Sequence, residues 1–539
     1  MDEQDALQVI KIITGRSIES EISEAKNLVK ILGYLPLALA QAGAYIRQNN
    51  VTIAEYLNLY KSYEIELLAE SLITDGLKNS PVLITWDISL KAIAKAAAAK
   101  NEQLIALELL TVCSYLSPDK IPRSLLLAWL KKAHPNLSSP ELTLNRHIEL
   151  LWRYSMINHY DSKNISIHRL VQVVTRHHYR ELELCQIDIE QLICVVNEEF
   201  GYDWNDGNKN NKNVIQNIRE LIVHINSLME FCVKNNFIGL AELLYKLGSY
   251  YMHHSYKQVD AIKILEKGLK ILEESNNNLQ NNSTLLLKTK IQNHLGYAYQ
   301  TNEQYDKARE LCGKIAESNY AIISPHTAKE FKFEQALAYA ILGHVSYNLA
   351  EHEGSKDKFL EAEKNYRKSL SLHDEINVWD DQYYRIKNRM GGSVLLQERF
   401  DEAIKIFEEI SNYWRKSDYK DNIFAARAFV SLAKAYFKKT QTLNNIEGVT
   451  QKKIYLEKAS QVINEAIKIY DLNYGDYHKH YQLHSVEARE LAGDIYLDLK
   501  KYKEACSRFN ETKNGWKENN KIKKLEECLK KLEQLKCVP

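Results

Sequence analysis

The pattern of hydrophobic and polar positions predicts helices along most of the chain. Between residues 22 and 32, hydrophobic residues recur every three or four positions and the pattern stops at Gly33, as expected where an amphipathic helix ends. A second helix is predicted to begin near Pro36, because proline is tolerated in a first helical turn. Thr52 is a suitable N-terminal cap for a third helix. We assign these three helices to a first domain, residues 1–75.

The pattern between residues 81 and 184 is mixed. Helices are predicted over 102–116, 123–133 and 141–153. Two short runs of alternating residues then flank a polar turn, which predicts a β-hairpin within residues 155–167. An amphipathic helix follows, from about His168 to Glu183. Three helices and a hairpin are typical of a winged-helix fold, so residues 81–184 are predicted to form a winged-helix-like domain.

An internal repeat is present in residues 236–516, after a predicted helical linker at 185–235 that includes an Asn-rich stretch. Tetratricopeptide units carry Leu-Gly-x-x-Tyr in a first helix (helix A) and Ala-x-x-x-aromatic in a second (helix B), because small residues let the two helices approach closely. Three alanines lie 12 residues after the glycine of their unit: Ala308 after Gly296, Ala403 after Gly391 and Ala505 after Gly493. Three looser copies are centred on Gly248, Gly343 and Ala433. We therefore predict a mainly all-α protein with about six tetratricopeptide units in a right-handed superhelix.

The last segment, residues 517–539, is predicted to be a helix with one apolar side. That side carries Ile522, Leu525, Leu529, Leu532 and Leu535. A membrane-surface helix, a coiled coil and a solvating cap on the last repeat are the three alternatives. We favour the cap, because the heptad stretch is short, its apolar side has no Trp or Phe, and solenoids need capped ends.

Composition narrows the class of protein. Only 8 Pro and 19 Gly occur in 539 residues, which fits long helices with short connections. The net charge of +1 argues against a chain-wide field that would attract nucleic acid or anionic lipid. No apolar stretch approaches the roughly 18 residues that span a bilayer, so we expect a soluble, cytoplasmic protein without a membrane partner. The eight cysteines contain no Cys-x-x-Cys pair, and we expect reduced thiols.

Three stretches of the first 185 residues carry a family resemblance. Leu32–Leu39 is similar to a Gly-Leu-Pro-Leu motif, Ser117–Pro122 to a signature of the domain after it, and Tyr154–Ile157 with Ile165–Gln172 to a winged helix with a Met-His-Asp-type motif. In this order they resemble the C-terminal part of the nucleotide-binding region of NB-ARC (STAND-class) ATPases with tetratricopeptide repeats.

The resemblance implies nucleotide-proximal positions in this chain. It places Pro36 beside the adenine and His168 beside the β-phosphate, and it makes Gly33 nucleotide-proximal as well. Ile167 and Arg169 stand where the family motif has Met and Asp.

The phosphate-binding part of that family is absent from this sequence. No Gly-x-x-x-x-Gly-Lys-Ser/Thr occurs, and no apolar strand near the N-terminus ends in Asp-Asp, so nothing supplies an amide cradle or a magnesium ligand. The resemblance implies a truncated or split member that keeps the lid, the winged helix and the sensor array. We expect no enzymatic activity and no cofactor. The alternative is a regulatory half of a split ATPase, completed by a separate polypeptide that carries the P-loop.

Two other kinds of site are less favoured. His480 and His484 are one helical turn apart and His478 is close, while His177 and His178 are adjacent, but neither group has a clear further ligand for a metal. Arg169, Arg176 and Arg180 would lie along the last helix of a winged helix, as in DNA-binding proteins, yet Glu181 and Glu183 follow at once. No nucleophile lies in a motif that provides an oriented base.

The predicted function is protein binding in the concave groove of the repeats. Helix A positions next to the small residue of each unit line that groove. By register they are Lys290, Asn293, Tyr297 and Gln300, then Arg385 and Asn388, then Glu487, Glu490 and Asp494. The paired Lys and Asn of the carboxylate clamp for chaperone tails are absent, so we expect another protein or peptide. Such a ligand would meet opposite charge at its two ends.

Overall fold

The computed structural model describes most of the chain. The described residues are 1–69, 81–99, 104–182, 189–201, 212–232, 238–253, 257–274, 281–318, 325–417, 422–443, 446–472, 479–519 and 521–537. In these ranges the protein is helical apart from three short strands, which confirms the predicted all-α class. The contacts divide the chain into two compact units, Met1–Leu279 and Gln280–Pro539.

The first unit begins with five helices and a short 3-10 turn at Glu19–Glu21. They are α1 (Glu3–Thr14), α2 (Ile22–Ile31), α3 (Pro36–Asn49), α4 (Ile53–Ala69) and α5 (Pro81–Ala99). The three predicted helices are α2, α3 and α4. After α2 the chain turns through Gly33 and Tyr34, whose φ angles are 61° and 56°. At the start of α4, the Glu55 carboxylate accepts from the Thr52 amide at 2.6 Å and the Glu55 amide donates to the Thr52 hydroxyl at 3.1 Å, a capping box.

Next come four helices and a small antiparallel sheet. Their bounds are α6 (Ile105–Tyr115), β1 (Ile121–Pro122), α7 (Arg123–Ala133), α8 (Pro140–Arg153), β2 (His159–Tyr160), β3 (Asn164–Ser166) and α9 (Arg169–Leu182). The strand order is β1-β3-β2, so the predicted hairpin is β2 and β3. The hydrophobic pattern did not predict β1, because two residues ending in a proline show no alternation. Glu183, the predicted end of α9, lies outside the described residues.

Four further helices complete the first unit. They are α10 (Ile189–Phe200), α11 (Lys212–Cys232), α12 (Ile238–His253) and α13 (Gln258–Glu274). Residues 202–211, which hold most of the Asn-rich stretch, lie outside the described part. His224 of α11 is fully buried; its Nδ1 accepts from the Ser117 amide and its Nε2 donates to the Lys120 carbonyl, both at 3.2 Å. Burial lowers the pKa of His224 to about 4, so a neutral imidazole holds this loop in place.

The second unit is a series of helix pairs followed by one more helix. The helices are α14 (Asn282–Thr301), α15 (Tyr305–Ala316), α16 (Pro325–Glu353), α17 (Lys356–Glu375), α18 (Asp381–Leu396), α19 (Phe400–Lys416), α20 (Ile423–Thr440), α21 (Ile446–Leu472), α22 (Lys479–Asp498), α23 (Tyr502–Glu518) and α24 (Ile522–Gln534). Even-numbered helices from α14 to α22 are helix A, and each contacts the helix B that follows it. With α12 and α13 of the first unit, the described chain has six such pairs.

The small residue of each helix A lies against its helix B. A Cβ built on Gly391 would be 2.6 Å from the Phe407 ring, and one built on Gly493 would be 2.5 Å from the Phe509 ring. Gly296 likewise faces Cys312. In all three units the facing residue lies 16 positions after the glycine, and the alanine at position 12 is fully buried. The close approach therefore explains why these positions need small residues.

The looser spacing around Gly343 keeps the same packing. Ala362 follows Gly343 by 19 residues instead of 12, and Tyr366 faces Gly343 at a separation of 23 instead of 16. The seven extra residues equal close to two helical turns. Because α16 is longer than α14 and α17 is longer than α15, the insertion lengthens the helices and keeps the small residue packed against its helix B.

The C-terminal helix packs on the last pair. In α24, Cys528 is fully buried and Leu532 is 8% exposed, and both belong to the core that contains Phe509. The expectation of reduced thiols is wrong for two cysteines, since Cys506 of α23 and Cys537 form a disulfide. Their Cα atoms are 5.8 Å apart because the chain folds back along α23, and this return was not visible in the cysteine spacing.

Candidate functional site

The helix A segments of the second unit form a continuous layer. α14 contacts α16, α16 contacts α18, α18 contacts α20 and α20 contacts α22. We call this set of five helices the A layer. All nine groove residues predicted from the sequence lie on it, and their surroundings differ from one end of the layer to the other.

The first set of predicted groove residues, on α14, is largely buried or bound to other residues of the protein. Asn293 is 2% exposed, and its amide donates to the Glu334 carboxylate at 2.7 Å and to the Glu334 carbonyl at 2.8 Å. The expectation that Asn293 projects freely into a groove is therefore wrong. Gln300 is 8% exposed, Tyr297 packs on a buried cluster, and Lys290 is partly exposed.

Glu334 of α16 is an acid that the sequence analysis did not identify. It is 4% exposed, and burial raises its pKa to about 7, although the Asn293 amide and the charge of Lys290 oppose the rise. A buried carboxyl with this pKa is partly protonated at neutral pH. Its contact with Asn293 joins α14 to α16.

The middle set, on α18, lies in a group of cationic and aromatic side chains. The sequence predicted Arg385 and Asn388, and the structure adds Arg389 of α18, Arg427 of α20, and His344 and Tyr347 of α16. Burial lowers the pKa of His344 to about 3, and the charges of Arg389, Arg385 and Arg427 lower it further. We call Arg385, Arg389 and Arg427 the arginine cluster. All three side chains are partly exposed.

Aromatic rings support two members of the arginine cluster. The Arg385 guanidinium lies 3.9 Å from the centre of the Phe424 ring, and that of Arg389 lies 5.9 Å from the centre of the Tyr347 ring. Such contacts hold a guanidinium without neutralising it. Within the described ranges, Arg389 makes no ion pair. The sequence carries a signal for Arg427, which lies six residues before Ala433 as Arg385 lies six before Gly391. Arg389 lies at a position of helix A for which the repeat pattern predicted no groove residue.

The last set, on α22, is partly neutralised by α24. Lys531 Nζ lies 2.7 Å from the Asp494 carboxylate and 3.6 Å from that of Glu490. Glu487 pairs with His484 at 3.1 Å. α24 comes after the last helix pair, where the helix A of a further unit would begin. The acidic residues of α22 are therefore paired with a lysine of the same chain.

The nucleotide-proximal residues of the resemblance lie in the first unit. Gly33 is in the left-handed turn after α2, Pro36 begins α3, and His168 is exposed and caps α9, its Nδ1 accepting from the Leu170 amide at 3.1 Å. Within the described residues, no hydrogen bond joins His168 to the turn at Gly33. The structure thus gives each residue a local structural role, and its proximity to a nucleotide stays a prediction.

The residues considered for metal and DNA binding have other surroundings. Arg176 donates to the Ser114 carbonyl and lies over the Phe231 ring at 4.0 Å, so this arginine is not held ready for a phosphate. His478 lies outside the described residues, as do the side chains of His177, His178, Arg180 and His480. In the part that the structure describes, no group of three His, Cys, Asp or Glu side chains could hold a metal ion. No described helix is long and apolar enough to cross a membrane.

Two sequence comparisons each match part of the chain. Residues 97–184 match a family model described as a domain of unknown function, DUF7779. A nucleotide-binding leucine-rich repeat (NLR)-like protein of Hyaloscypha variabilis is 33% identical over 189 residues, which are 33% of this chain and 17% of that protein. The chain therefore spans less than a fifth of this relative's length.

Two solved structures align with much of this chain at low TM-scores. One is a Signal Transduction ATPase with Numerous Domains (STAND) protein with a tetratricopeptide repeat sensor from Pyrococcus horikoshii, with a TM-score of 0.39 and 15% identity, covering 89% of this chain and 68% of that chain. The other is yeast Tom70, with a TM-score of 0.33 and 13% identity, covering 99% of this chain and 86% of that chain. The repeat assignment itself rests on the helix pairs and their glycine contacts. The helix pairs of this chain are tetratricopeptide-like repeats, and over 189 residues the chain is similar to an NLR-like protein.

Proposed function

We propose that this chain is a protein-binding module that holds a peptide segment of its partner against the A layer. The observation that carries the proposal is the convergence of partly exposed polar and aromatic side chains from three successive helices, α16, α18 and α20. A surface that is folded before binding limits the entropic cost of association. Several moderate contacts would share the binding free energy, as is usual for extended interfaces.

Two glycines offer a matched test of this site. Gly392 lies in the A layer, where an added Cβ would be 3.6 Å from the Tyr347 hydroxyl, an ordinary contact. Gly313 lies in α15, a helix B, with nothing within 4 Å of an added Cβ. Gly392→Trp should therefore obstruct the layer without forcing its helices apart, and Gly313→Trp places the same ring on the other layer.

The experiment is affinity capture from the native host with the full chain, followed by hydrogen exchange of the chain with its main captured partner. We expect Gly392→Trp to lose the partners and Gly313→Trp to retain them, with exchange slowed in α16, α18 and α20 of the parent. Equal capture by both variants, with both folded, would show that partners bind elsewhere.

The second candidate is the regulatory half of an ATPase whose P-loop is on another polypeptide. One support is the similarity, over 189 residues, to a protein named as nucleotide-binding. The other is a contact between α3 and the turn after α8, where the Asn49 amide donates to the Tyr154 hydroxyl at 3.5 Å. A captured P-loop protein should then hydrolyse ATP in the presence of this chain, and His168→Ala should lower the rate. No change of rate on adding the chain would exclude this role.

A further inference from the structure

Helix α24 places two lysines beside groove residues of α22. Lys531 Nζ lies 2.7 Å from the Asp494 carboxylate and 3.6 Å from that of Glu490. The charge of Lys524 also acts on Glu490. In the described part of the chain, neither carboxylate has an ion-pair partner outside α24. We call Glu490 and Asp494 the acidic pair. Because they are one turn apart on α22, they repel each other unless a cation lies beside them.

The apolar contact of α24 with the repeats is small for a helix of 13 residues. Its fully buried side chains are Cys528 and Leu532, while Leu525 and Leu535 are partly exposed. Leu529, on the same apolar side, is 37% exposed. Isolated helices of this length are only marginally stable in water. The docked position of α24 therefore depends on what attaches the helix to α23.

A disulfide supplies one of the two attachments. Cys506 lies near the start of α23 and Cys537 follows the end of α24, so their bond closes a loop with a sequence separation of 31 residues. The chain fixes the other end, because α24 begins four residues after α23 ends. Closing a loop restricts the segment inside it, so the bond favours the docked position of α24. Both cysteines are partly exposed, and a dithiol reductant can reach them.

We propose that the acidic pair binds a lysine-bearing amphipathic helix of a partner protein, and that the disulfide keeps α24 in this site until the bond is reduced. The inference rests on the proposed function and adds a redox-controlled part to the same surface. α24 itself shows which ligand fits, since its two lysines are seven residues apart beside an apolar stripe. With the disulfide closed, α24 occupies the acidic pair and the middle of the A layer stays open.

The surroundings of the acidic pair favour such a helix over other ligands. Cys528 and Leu532 belong to the same core as Phe509, so the departure of α24 uncovers an apolar strip. The Phe509 ring lies 5.2 Å from Lys531 Nζ, and an aromatic face near two carboxylates attracts a cation. Nucleic acid and anionic lipid would be repelled by the carboxylates. A ligand must therefore bring both positive charge and an apolar stripe.

Opening the site requires thiol–disulfide exchange. A thiolate of a dithiol reductant attacks one sulfur of the Cys506–Cys537 bond, forms a mixed disulfide and releases the other cysteine as a thiolate, which takes up a proton. The second thiol of the reductant then displaces the first cysteine, and the reductant leaves as a disulfide. Two electrons and two protons pass to the protein, which ends with two thiols. α24 is then attached only through its connection to α23.

The first test compares hydrogen exchange of the full chain before and after reduction with dithiothreitol. We expect amides of α24 to exchange at least about tenfold faster after reduction, while those of α18 stay unchanged. Cys506→Ser should show the fast exchange of α24 under both conditions. The control Cys194→Ser removes a free, exposed cysteine and should respond to reduction as the parent does.

The second test measures binding of a fluorescent peptide with the sequence of residues 521–536. The peptide carries Cys528→Ala, so that it cannot form a mixed disulfide. The protein is the full chain with Leu532→Glu, measured with and without dithiothreitol. Leu532 is 8% exposed, so a charge there weakens docking of the chain's own helix and lowers its competition with the peptide. We expect binding at least about tenfold tighter after reduction.

Two altered peptides test the pairing with the acidic pair. Lys524→Glu/Lys531→Glu reverses the two charges that face α22. Lys523→Glu/Lys530→Glu reverses two exposed lysines with the same spacing and gives the same net charge. We expect the first peptide to bind at least about tenfold more weakly than the unaltered one, and the second to bind almost as well.

Three results would overturn the assignment. They are equal exchange of α24 in both redox states, equal loss of binding with both altered peptides, and dimerisation of the reduced chain at micromolar concentration. In the last case the occupant would be α24 of a second copy instead of a partner's helix.

Failure here is distinguishable from failure of the proposed function, which Gly392→Trp tests on α18. If that variant loses its partners while α24 exchanges equally in both redox states, the A layer binds partners and α24 is a permanent cap. If the variant keeps its partners and the reduced chain binds the peptide, the acidic pair acts without the middle of the layer.

Discussion

Gly391 and Gly392 are adjacent in α18, yet a methyl group would meet different surroundings at each. On Gly391 it would lie 2.6 Å from Cε1 and 2.9 Å from Cζ of Phe407, and 3.1 Å from Cγ2 of Ile406. On Gly392 its nearest neighbour would be the Tyr347 hydroxyl at 3.6 Å. Carbon atoms pack at about 3.5–4.0 Å, so the Phe407 ring must retreat by roughly 1 Å only in Gly391→Ala.

The pair separates overpacking from helix propensity. Replacing a glycine by alanine inside a helix stabilises it by about 0.5–1 kcal/mol, and this gain applies at both positions. Phe407 is fully buried, and forcing extra volume into such a core costs about 1–3 kcal/mol. The two variants should therefore differ by about 1–3 kcal/mol, with Gly392→Ala more stable than the parent and Gly391→Ala less stable.

Hydrogen exchange over residues 381–416 is the suitable assay. Repeat units open locally, so melting of the whole two-unit chain would dilute the effect. Since 1.4 kcal/mol corresponds to a factor of ten, amides of α18 and α19 should exchange at least about fivefold faster in Gly391→Ala than in Gly392→Ala. If both variants slow exchange equally, α18 and α19 do not pack in the register described.

Three further predictions follow from the packing and the charges. Ala308→Leu should separate α14 from α15 at a cost of about 1–3 kcal/mol, seen as faster exchange confined to roughly residues 285–350 with the first unit unchanged. Glu334, with a folded pKa of about 7, binds a proton that the unfolded chain loses near pH 4.5. Its contribution is thus fully present below pH 4.5 and is lost as pH rises through 7, and Glu334→Gln should flatten the pH dependence of α14 and α16 exchange by up to about 3 kcal/mol. Calorimetric titration of the chain with ATP and Mg²⁺ should show no binding tighter than about 10 µM, because the sequence has no P-loop.

Local signals in the sequence were sufficient for several helix boundaries. Proline at the first turn of α3, the capping box at Thr52 and the left-handed turn at Gly33 each act within a few residues, so a linear pattern contains them. The 12-residue offset worked for the same reason, because one helix pair is a local structure. Features that depend on distant segments were missed, among them β1, which exists only by pairing with β3, and the disulfide formed by the return of the chain after α24.

The A layer shows the same difference between local and distant determinants at a single position of the repeat. Asn293, Asn388 and Glu490 all lie three residues before the glycine of their unit, and the repeat pattern alone makes them equivalent. Their surroundings come from a later helix: the Asn293 amide donates to the Glu334 carboxylate, and Lys531 of α24 pairs with Glu490. In the unit of Asn388, the register position that corresponds to Glu334 is occupied by Phe424.

This difference reduces the candidate site from the nine predicted residues to the two on the middle helix of the A layer, Arg385 and Asn388. In a solenoid each helix A has two roles: it lines the ligand groove, and it packs against the helix A of the unit before it. Where a neighbouring helix supplies a complementary polar or charged side chain, the groove residues bind to it and hold the units together, as at both ends of the A layer. Where the neighbouring helix supplies the Phe424 ring, the groove residues Arg385 and Asn388 stay partly exposed. We therefore expect a bound peptide to contact α18 between Arg385 and Gly392, the part of the A layer that Gly392→Trp would obstruct.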